Sequence, residues 1–117
     1  MKDEITKAIG AHGMWKMRLK RILETGVAEI DPVKAASDNQ CEFGKWLHGQ
    51  TLPADVKSSA QYKTIKILHA NFHQCAGKIT RLALSGEKDE ANRAMSTEFD
   101  DVSRSLVAEM MQWKKAA

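Results

Sequence analysis

The sequence predicts an all-α protein, an antiparallel four-helix bundle with a short extra helix that carries a metal-ligand cysteine. Three long segments have apolar residues at alternating steps of three and four, the spacing that places them on one face of an α-helix. No segment alternates apolar and polar residues as a half-buried β-strand does. A chain of 117 residues suits one domain with a real core, so residues 1–117 are interpreted as a single domain.

The first segment runs from Asp3 to about residue 29, and a histidine lies among its apolar positions. Gly10 and Gly13 flank that histidine, His12, and leave room for a close approach. Pro32 predicts the end of the element, because a helix rarely continues through the residue before a proline. The positions on the predicted core face are Ile5, Ala8, His12, Trp15, Leu19, Ile22 and Gly26.

Residues 31–59 are the least regular part of the chain. Short helical turns are predicted at 33–37 and at 41–47, and the polar run 37–39 offers an N-cap for the second turn. The stretch from Cys41 to Leu47 is rich in buried-type residues for a connector. A connector of this length without a long helix is usually functional.

The third and fourth segments have the clearest helical period. Ser58 and Ser59 predict the start of the third segment, and Gly86 predicts its end. The fourth extends from about Lys88 to Lys115, with acidic residues in its first turn and basic ones in its last, which complements the helix dipole. The third core face is Tyr62, Ile65, His69, Phe72, Ala76, Ile79 and Ala83, and the fourth is Met95, Phe99, Val102, Leu106, Met110 and Trp113.

Composition and charge exclude several classes of function. The net charge is only +3 and the basic residues are spread along the chain, so nucleic-acid binding is not indicated. No apolar stretch approaches the roughly 20 residues of a membrane span. The charged start, residues 1–4, does not resemble a secretory signal, so the protein is expected to be cytoplasmic with its two cysteines reduced.

His69 and His73 are four residues apart, which places both imidazoles on the same face of a helix. The glutamate of a His-Glu-x-x-His metalloprotease is missing, since Ala70 follows His69. Any one of His12, His69 and His73 alone is explained by a hydrogen-bonded core histidine. Three together would leave imidazoles without partners, at about 1–3 kcal/mol for each unsatisfied group, and a shared metal ion removes that cost.

Cys41 is the best candidate for a fourth ligand, because it opens a compact segment whose apolar residues can hold it on the bundle. A set of three histidines and one cysteine suits tetrahedral Zn²⁺ better than Mg²⁺ or Ca²⁺. A di-iron site is disfavoured, since no Glu-x-x-His motif is present. Cys75 lies roughly 200° around the helix from His73 and is interpreted as a buried structural thiol. His48 is interpreted as a surface residue in a loop.

Three linked motifs resemble the chemoreceptor zinc-binding (CZB) domain family. They are His12-x-x-Trp15, Cys41-x-Phe43-Gly44-x-Trp46-Leu47 and His69-x-x-x-His73, separated by intervals of 29 and 28 residues between their first ligands. The resemblance extends from about residue 5 to 113.

The resemblance implies a cytoplasmic bacterial sensor domain that forms a homodimer. It implies one zinc per protomer, bound by His12, Cys41, His69 and His73. Zinc itself or oxidants such as hypochlorous acid would act at the zinc-bound cysteine, and the output would be a chemoreceptor signalling domain or a diguanylate cyclase, in cis or in trans. Neither output fits within 117 residues, so a stand-alone protein or an excised fragment is expected.

Two other functions remain open at this level. One is a structural module in which zinc only staples the helices and the domain dimerises. The other, a zinc hydrolase, is disfavoured because four protein ligands leave no position for water and the ligand motifs contain no carboxylate base. Met14, Met17 and Met111 are extra apolar positions beyond the core stripes; they suggest a second buried face, as in a dimer, but do not locate the interface.

Overall fold

The computed structural model describes residues 1–28 and 30–116, which form helices and, within those ranges, no strand. The prediction of an all-α protein is therefore confirmed. A π-helical stretch, Met95–Phe99, joins the last two helices into one continuous helix. The helices are α1 (Lys2–Thr25), α2 (Pro32–Ala36), α3 (Glu42–His48), α4 (Ala54–Lys57), α5 (Ala60–Leu84), α6 (Lys88–Ala94) and α7 (Asp100–Ala116).

The long helices begin and end close to where the sequence predicts. Ser59 caps α5, and its hydroxyl accepts the N–H of Tyr62 at 3.2 Å, as expected for a serine N-cap. Gly86, just past the end of α5, has a φ of 80°. Helix α1 ends earlier than predicted, because Gly26 adopts the left-handed conformation with φ 72° and terminates it. Residue 29, the predicted boundary, lies outside the described residues.

The chain direction alternates along the bundle. Helices α5 and α7 are antiparallel, since Tyr62 near the start of α5 packs on Trp113 near the end of α7. Helix α1 runs parallel to α5, since His12 contacts His69 and Trp15 contacts His73.

The fourth position of the bundle is occupied by two short helices rather than one long one. Ala36 of α2 contacts Gly77 near the middle of α5, while Leu47 of α3 accepts a hydrogen bond from Tyr62 near its start. The segment therefore runs opposite to α5. Because α2 and α3 are separate, the chain between them is free to turn a side chain into the bundle.

The core extends the full length of the three long helices. Every predicted core position except Gly26 and Val102 is buried, and Val102 is partly buried against the core. No helix within the described residues is both long and apolar enough to cross a membrane. The largest fully buried apolar side chains are Phe72, Phe99, Ile5, Leu19, Leu47, Ile65, Ile79, Leu106 and Met110.

Candidate metal centre

Cys41 is positioned by the start of α3. It is itself the N-cap residue, and its Sγ accepts the backbone N–H of Gly44 at 3.2 Å. The predicted cap within residues 37–39 is therefore wrong: the sulfur replaces the usual oxygen. Gly44 is needed here, because a Cβ at this position would overlap the carbonyl oxygen of Asp38.

Four potential ligand atoms converge between α1, α3 and α5. His12, Cys41, His69 and His73 each offer one atom, and these atoms all lie within 4.8 Å of one another. The Nε2 of His69 is 3.0 Å from that of His12 and 3.1 Å from that of His73. The Cys41 Sγ lies 3.3 Å from His69 Nε2 and 3.5 Å from His73 Nε2.

These separations are close to those of a tetrahedral zinc site. Zinc bonds of about 2.0–2.1 Å to nitrogen and about 2.3 Å to sulfur place two nitrogens about 3.3 Å apart and a nitrogen and the sulfur about 3.6 Å apart. Small movements of the side chains are enough to bring all four atoms to these separations. The site therefore fits zinc in both donor chemistry and size.

Backbone carbonyls fix the orientation of two of the histidines. His12 Nδ1 lies 2.8 Å from the carbonyl oxygen of Ala8, and His73 Nδ1 lies 3.1 Å from that of Ala35. A carbonyl oxygen only accepts, so each Nδ1 carries the proton. Each Nε2 is left with its lone pair aimed at the common point, which is the tautomer that metal binding requires.

His69 has a different environment. It is fully buried, and its Nδ1 makes no hydrogen bond. Its Nε2 is within hydrogen-bonding distance of the Nε2 lone pair of His12. Without a metal, a proton on His69 Nε2 satisfies this contact. An ion bound at Nε2 would require the proton to be on Nδ1 instead, the ring nitrogen that makes no hydrogen bond here.

Burial determines the charge of the site. It lowers the pKa of His12 to about 4 and that of His69 to about 2, and it also lowers the pKa of His73. The three imidazoles are therefore neutral and able to bind a metal at neutral pH. Burial raises the pKa of the Cys41 thiol, against the lowering effect of the Gly44 N–H. A bound zinc ion reverses that balance, because it holds the sulfur as a thiolate.

The sequence reasoning missed the residues that support His73. Gly77 lies one helical turn after His73, and a Cβ there would be 2.5 Å from the Cβ of Ala36. The absence of that Cβ lets α2 approach α5, which brings the Ala35 carbonyl to His73 Nδ1. In the sequence, a glycine beside the predicted core face of a long helix indicates that another helix can approach closely at that point.

The other two candidate residues lie away from the centre. Cys75 is not part of the cluster, as predicted, but it is only partly buried and lies near Lys78 and Glu98. His48 is exposed, as predicted, although it is the last residue of α3 rather than part of a loop. Its Nε2 lies 3.2 Å from Asp38 Oδ2.

The fold and the ligand set together define a helical domain with a preassembled His₃Cys metal-binding group. The family model for the chemoreceptor zinc-binding domain matches residues 12–80, more than half of the chain, and this range contains all four candidate ligands. The chain belongs to the CZB family. Searches among curated proteins and among solved structures found no significant match.

Proposed function

We propose that this domain is a sensor that binds one zinc ion through His12, Cys41, His69 and His73. Zinc or an oxidant is read at Cys41, and the signal passes to a chemoreceptor signalling domain or a diguanylate cyclase. The proposal rests on membership of the CZB family and on the His₃Cys group. A reducing compartment keeps Cys41 available as a thiolate ligand, so we propose a cytoplasmic location.

The observation that carries this proposal is the unequal support of the four ligands. The three histidines are no more than 2% exposed and belong to the long helices α1 and α5. Cys41 is partly exposed and stands at the end of a seven-residue helix. Cys41 is therefore the ligand that can move, while the histidines form the frame.

Oxidation of Cys41 is the first step of the proposed response. A thiolate oxidised to a sulfenic acid is a poorer zinc ligand, and its loss would release the start of α3. The other end of α3 is firmly held: Leu47 is fully buried, and its carbonyl accepts the Tyr62 hydroxyl at 2.6 Å. We therefore expect a pivot about Leu47 rather than release of the whole segment.

Helix α3 also contacts α7, so a movement at Cys41 can reach a long helix of the bundle. The rings of Trp46 and Trp113 lie 5.6 Å apart, and Trp113 is in the last turns of α7. A pivot of α3 moves Trp46 and changes this contact. Such a change at α7 is a physical route from Cys41 toward an output.

Zinc release on oxidation tests the proposal. Purified protein is expected to contain one zinc per chain and to release it to a colorimetric chelator when hydrogen peroxide is added. Cys41→Ser should bind zinc more weakly and lose the peroxide response. Cys75→Ser is the matched control and should behave as wild type. A Cys41→Ser protein that kept both zinc affinity and oxidant response would refute the assignment.

A structural role for zinc is the second candidate. In that case zinc staples α1, α3 and α5, and its removal unfolds the domain. The core favours the sensor instead, because it continues well beyond the site, from Ile5 to Ile22 on α1 and from Leu106 to Trp113 on α7. Chelation followed by circular dichroism separates the two: a sensor keeps most of its helicity, whereas a structural zinc module loses it.

A zinc hydrolase is not favoured. CZB domains are a sensory family, and four protein ligands leave zinc no open position for hydrolysis.

We further propose that the domain forms a homodimer through the outer face of α1. Met14 and Met17 are 58% and 64% exposed on this face. A Cβ at Gly10 or Gly13 would meet nothing within 4 Å, so the two glycines leave the same side of the helix flat and open. Exposed methionines beside a flat helical surface suit the close approach of a second copy of the helix.

A further inference from the structure

A groove between α1 and α3 leads from the surface to the metal centre. It has a volume of about 490 Å³, and both His12 and Cys41 form part of its lining. His69 and His73 do not line it. Of the four ligands, Cys41 is also the one that is not fully buried. The groove therefore reaches the side of the site where the sulfur lies.

The walls of the groove are apolar, with small side chains on α1 and aromatic ones on α3. Ala8 and Ala11 line it from α1, and Phe43 and Trp46 line it from α3. A larger side chain at Ala8 or Ala11 would fill the space between the two helices. The rim carries charges of both signs, Lys7 together with Glu4 and Glu42, so it does not select strongly for an anion or a cation. A passage of this kind suits a small uncharged molecule.

We propose that this groove is the route by which small uncharged oxidants reach the Cys41 sulfur, and that Ala11 keeps it open. This inference rests on the proposed function, because it assumes a zinc-bound Cys41 thiolate. With hydrogen peroxide, the sulfur attacks one peroxide oxygen, an S–O bond forms and the O–O bond breaks. The departing hydroxide takes a proton from solvent to become water, and the sulfur loses two electrons to the peroxide.

Ala11 is the best position for a test, because it is exposed and a larger side chain there requires no space in the core. Ala11→Leu places a bulky side chain at the groove. Ala108→Leu makes the same change at an exposed alanine of α7, which does not line the groove. Both variants are made in a Cys75→Ser background, so that Cys41 is the only thiol. Ala11→Met is a second variant, with a more flexible side chain at the same position. Zinc content and circular dichroism establish that each variant has bound zinc and is folded.

Two reagents of different size measure access to Cys41. For Ala11→Leu, we expect the reaction with an aromatic disulfide reagent to slow by about tenfold, equivalent to a barrier higher by about 1.4 kcal/mol. Hydrogen peroxide should be slowed less, because it is smaller. Ala108→Leu should react at the rate of the background protein.

Equal rates for Ala11→Leu, Ala11→Met and Ala108→Leu would overturn the proposed route. Failure of the proposed function gives a different result: Cys41 would react with peroxide at a rate that depends on Ala11, yet zinc would remain bound. Following sulfenic acid formation and zinc release in the same sample distinguishes the two.

Discussion

At the scale of single residues, the centre depends on the role of each ring nitrogen: one donates a hydrogen bond, and the other is left to bind a metal. His12 and His73 use Nδ1 for a backbone carbonyl and direct Nε2 toward the shared point. The carbonyls of Ala8 and Ala35 thus select the metal-binding tautomer before any ion arrives. This preorganisation lowers the cost of binding, because only small adjustments of the side chains remain.

The buried histidines predict how the stability of the metal-free protein depends on pH. Burial holds the pKa of folded His12 near 4, whereas the unfolded chain takes up this proton at about pH 6.5. The unfolded state therefore binds more protons as the pH falls between these values. The free energy of unfolding therefore has its full value above about pH 6.5. Between pH 6.5 and pH 4, His12 alone lowers it by about 1.4 kcal/mol per pH unit.

Urea denaturation of metal-free protein at several pH values measures this effect. The free energy of unfolding should fall steadily from pH 6.5 toward pH 4, with His69 and His73 acting in the same direction. His12→Phe cannot be protonated at this position. In this variant, the slope of the unfolding free energy against pH should be smaller by the contribution of one proton. Unfolding free energies that were independent of pH across this interval would contradict the burial of the histidines.

At the scale of elements, the close approach of α2 to α5 depends on Gly77. A methyl group there would push Ala36 away and draw the Ala35 carbonyl from His73. Gly77→Ala should therefore destabilise the protein by about 1–3 kcal/mol, as overpacking usually does. Loss of the support for His73 should weaken zinc binding about 10- to 100-fold.

Gly10→Ala is the matched control, since a Cβ at Gly10 meets nothing within 4 Å, and both variants are made in the Met17→Glu background so that the proposed α1 interface does not enter the comparison. Replacing a glycine within an exposed stretch of helix should stabilise it by up to about 1 kcal/mol and leave zinc affinity unchanged. Competition with a calibrated chelator and thermal denaturation measure both quantities. Equal zinc affinities for the two variants would show that α2 does not support His73.

The short helix α3 has one end that depends on the metal and one that does not. Sγ of Cys41 accepts the Gly44 N–H, while Leu47 and Tyr62 hold the other end through the core and a hydrogen bond. Oxidation of Cys41 should therefore expose the start of α3 selectively. Amide hydrogen exchange should increase at Gly44 and remain low at Leu47. A uniform increase along α3 would indicate release of the whole segment instead of a pivot.

At the scale of the whole molecule, the outer face of α1 predicts the oligomeric state. A charge at Met17 would be buried without a partner in the proposed dimer, so Met17→Glu should be monomeric by analytical ultracentrifugation. Ile67→Glu places the same charge at a similarly exposed position of α5, 62% exposed against 64% for Met17, and should remain dimeric. A dimer that tolerated Met17→Glu would place the interface elsewhere.

Much of this molecule was predictable from the order of its residues. The repeat of three and four identified the long helices, and the positions of His12 and His69 within those repeats placed both imidazoles in the core. The four candidate ligands were also predicted in this way, because each lies in a short motif with a recognisable spacing, and the structure brings them together. Periodicity and spacing are local properties, so a sequence displays them directly.

The cap of α3 and the bulge in the last helix were not predictable in this way. Serine, aspartate and asparagine before α3 were the expected caps, yet Cys41 takes this role because the helix starts where the sulfur faces the bundle. The π-helical stretch at Met95–Phe99 retains the apolar spacing of an α-helix in sequence. Phe99, at the end of this stretch, packs against Phe72 with the ring centroids 5.1 Å apart, a contact that the spacing in sequence does not display.

The sequence by itself therefore determined the helices, their core faces and the identity of the candidate ligands. Only the tertiary structure decided which backbone carbonyls orient His12 and His73, why Gly77 must lack a side chain, and which side of the centre opens to solvent. These features join residues far apart in the chain: the Ala35 carbonyl contacts His73, and Ala11 and Phe43 line one groove. Such contacts depend on the packing of helices against one another, and a local pattern of residues does not record that packing.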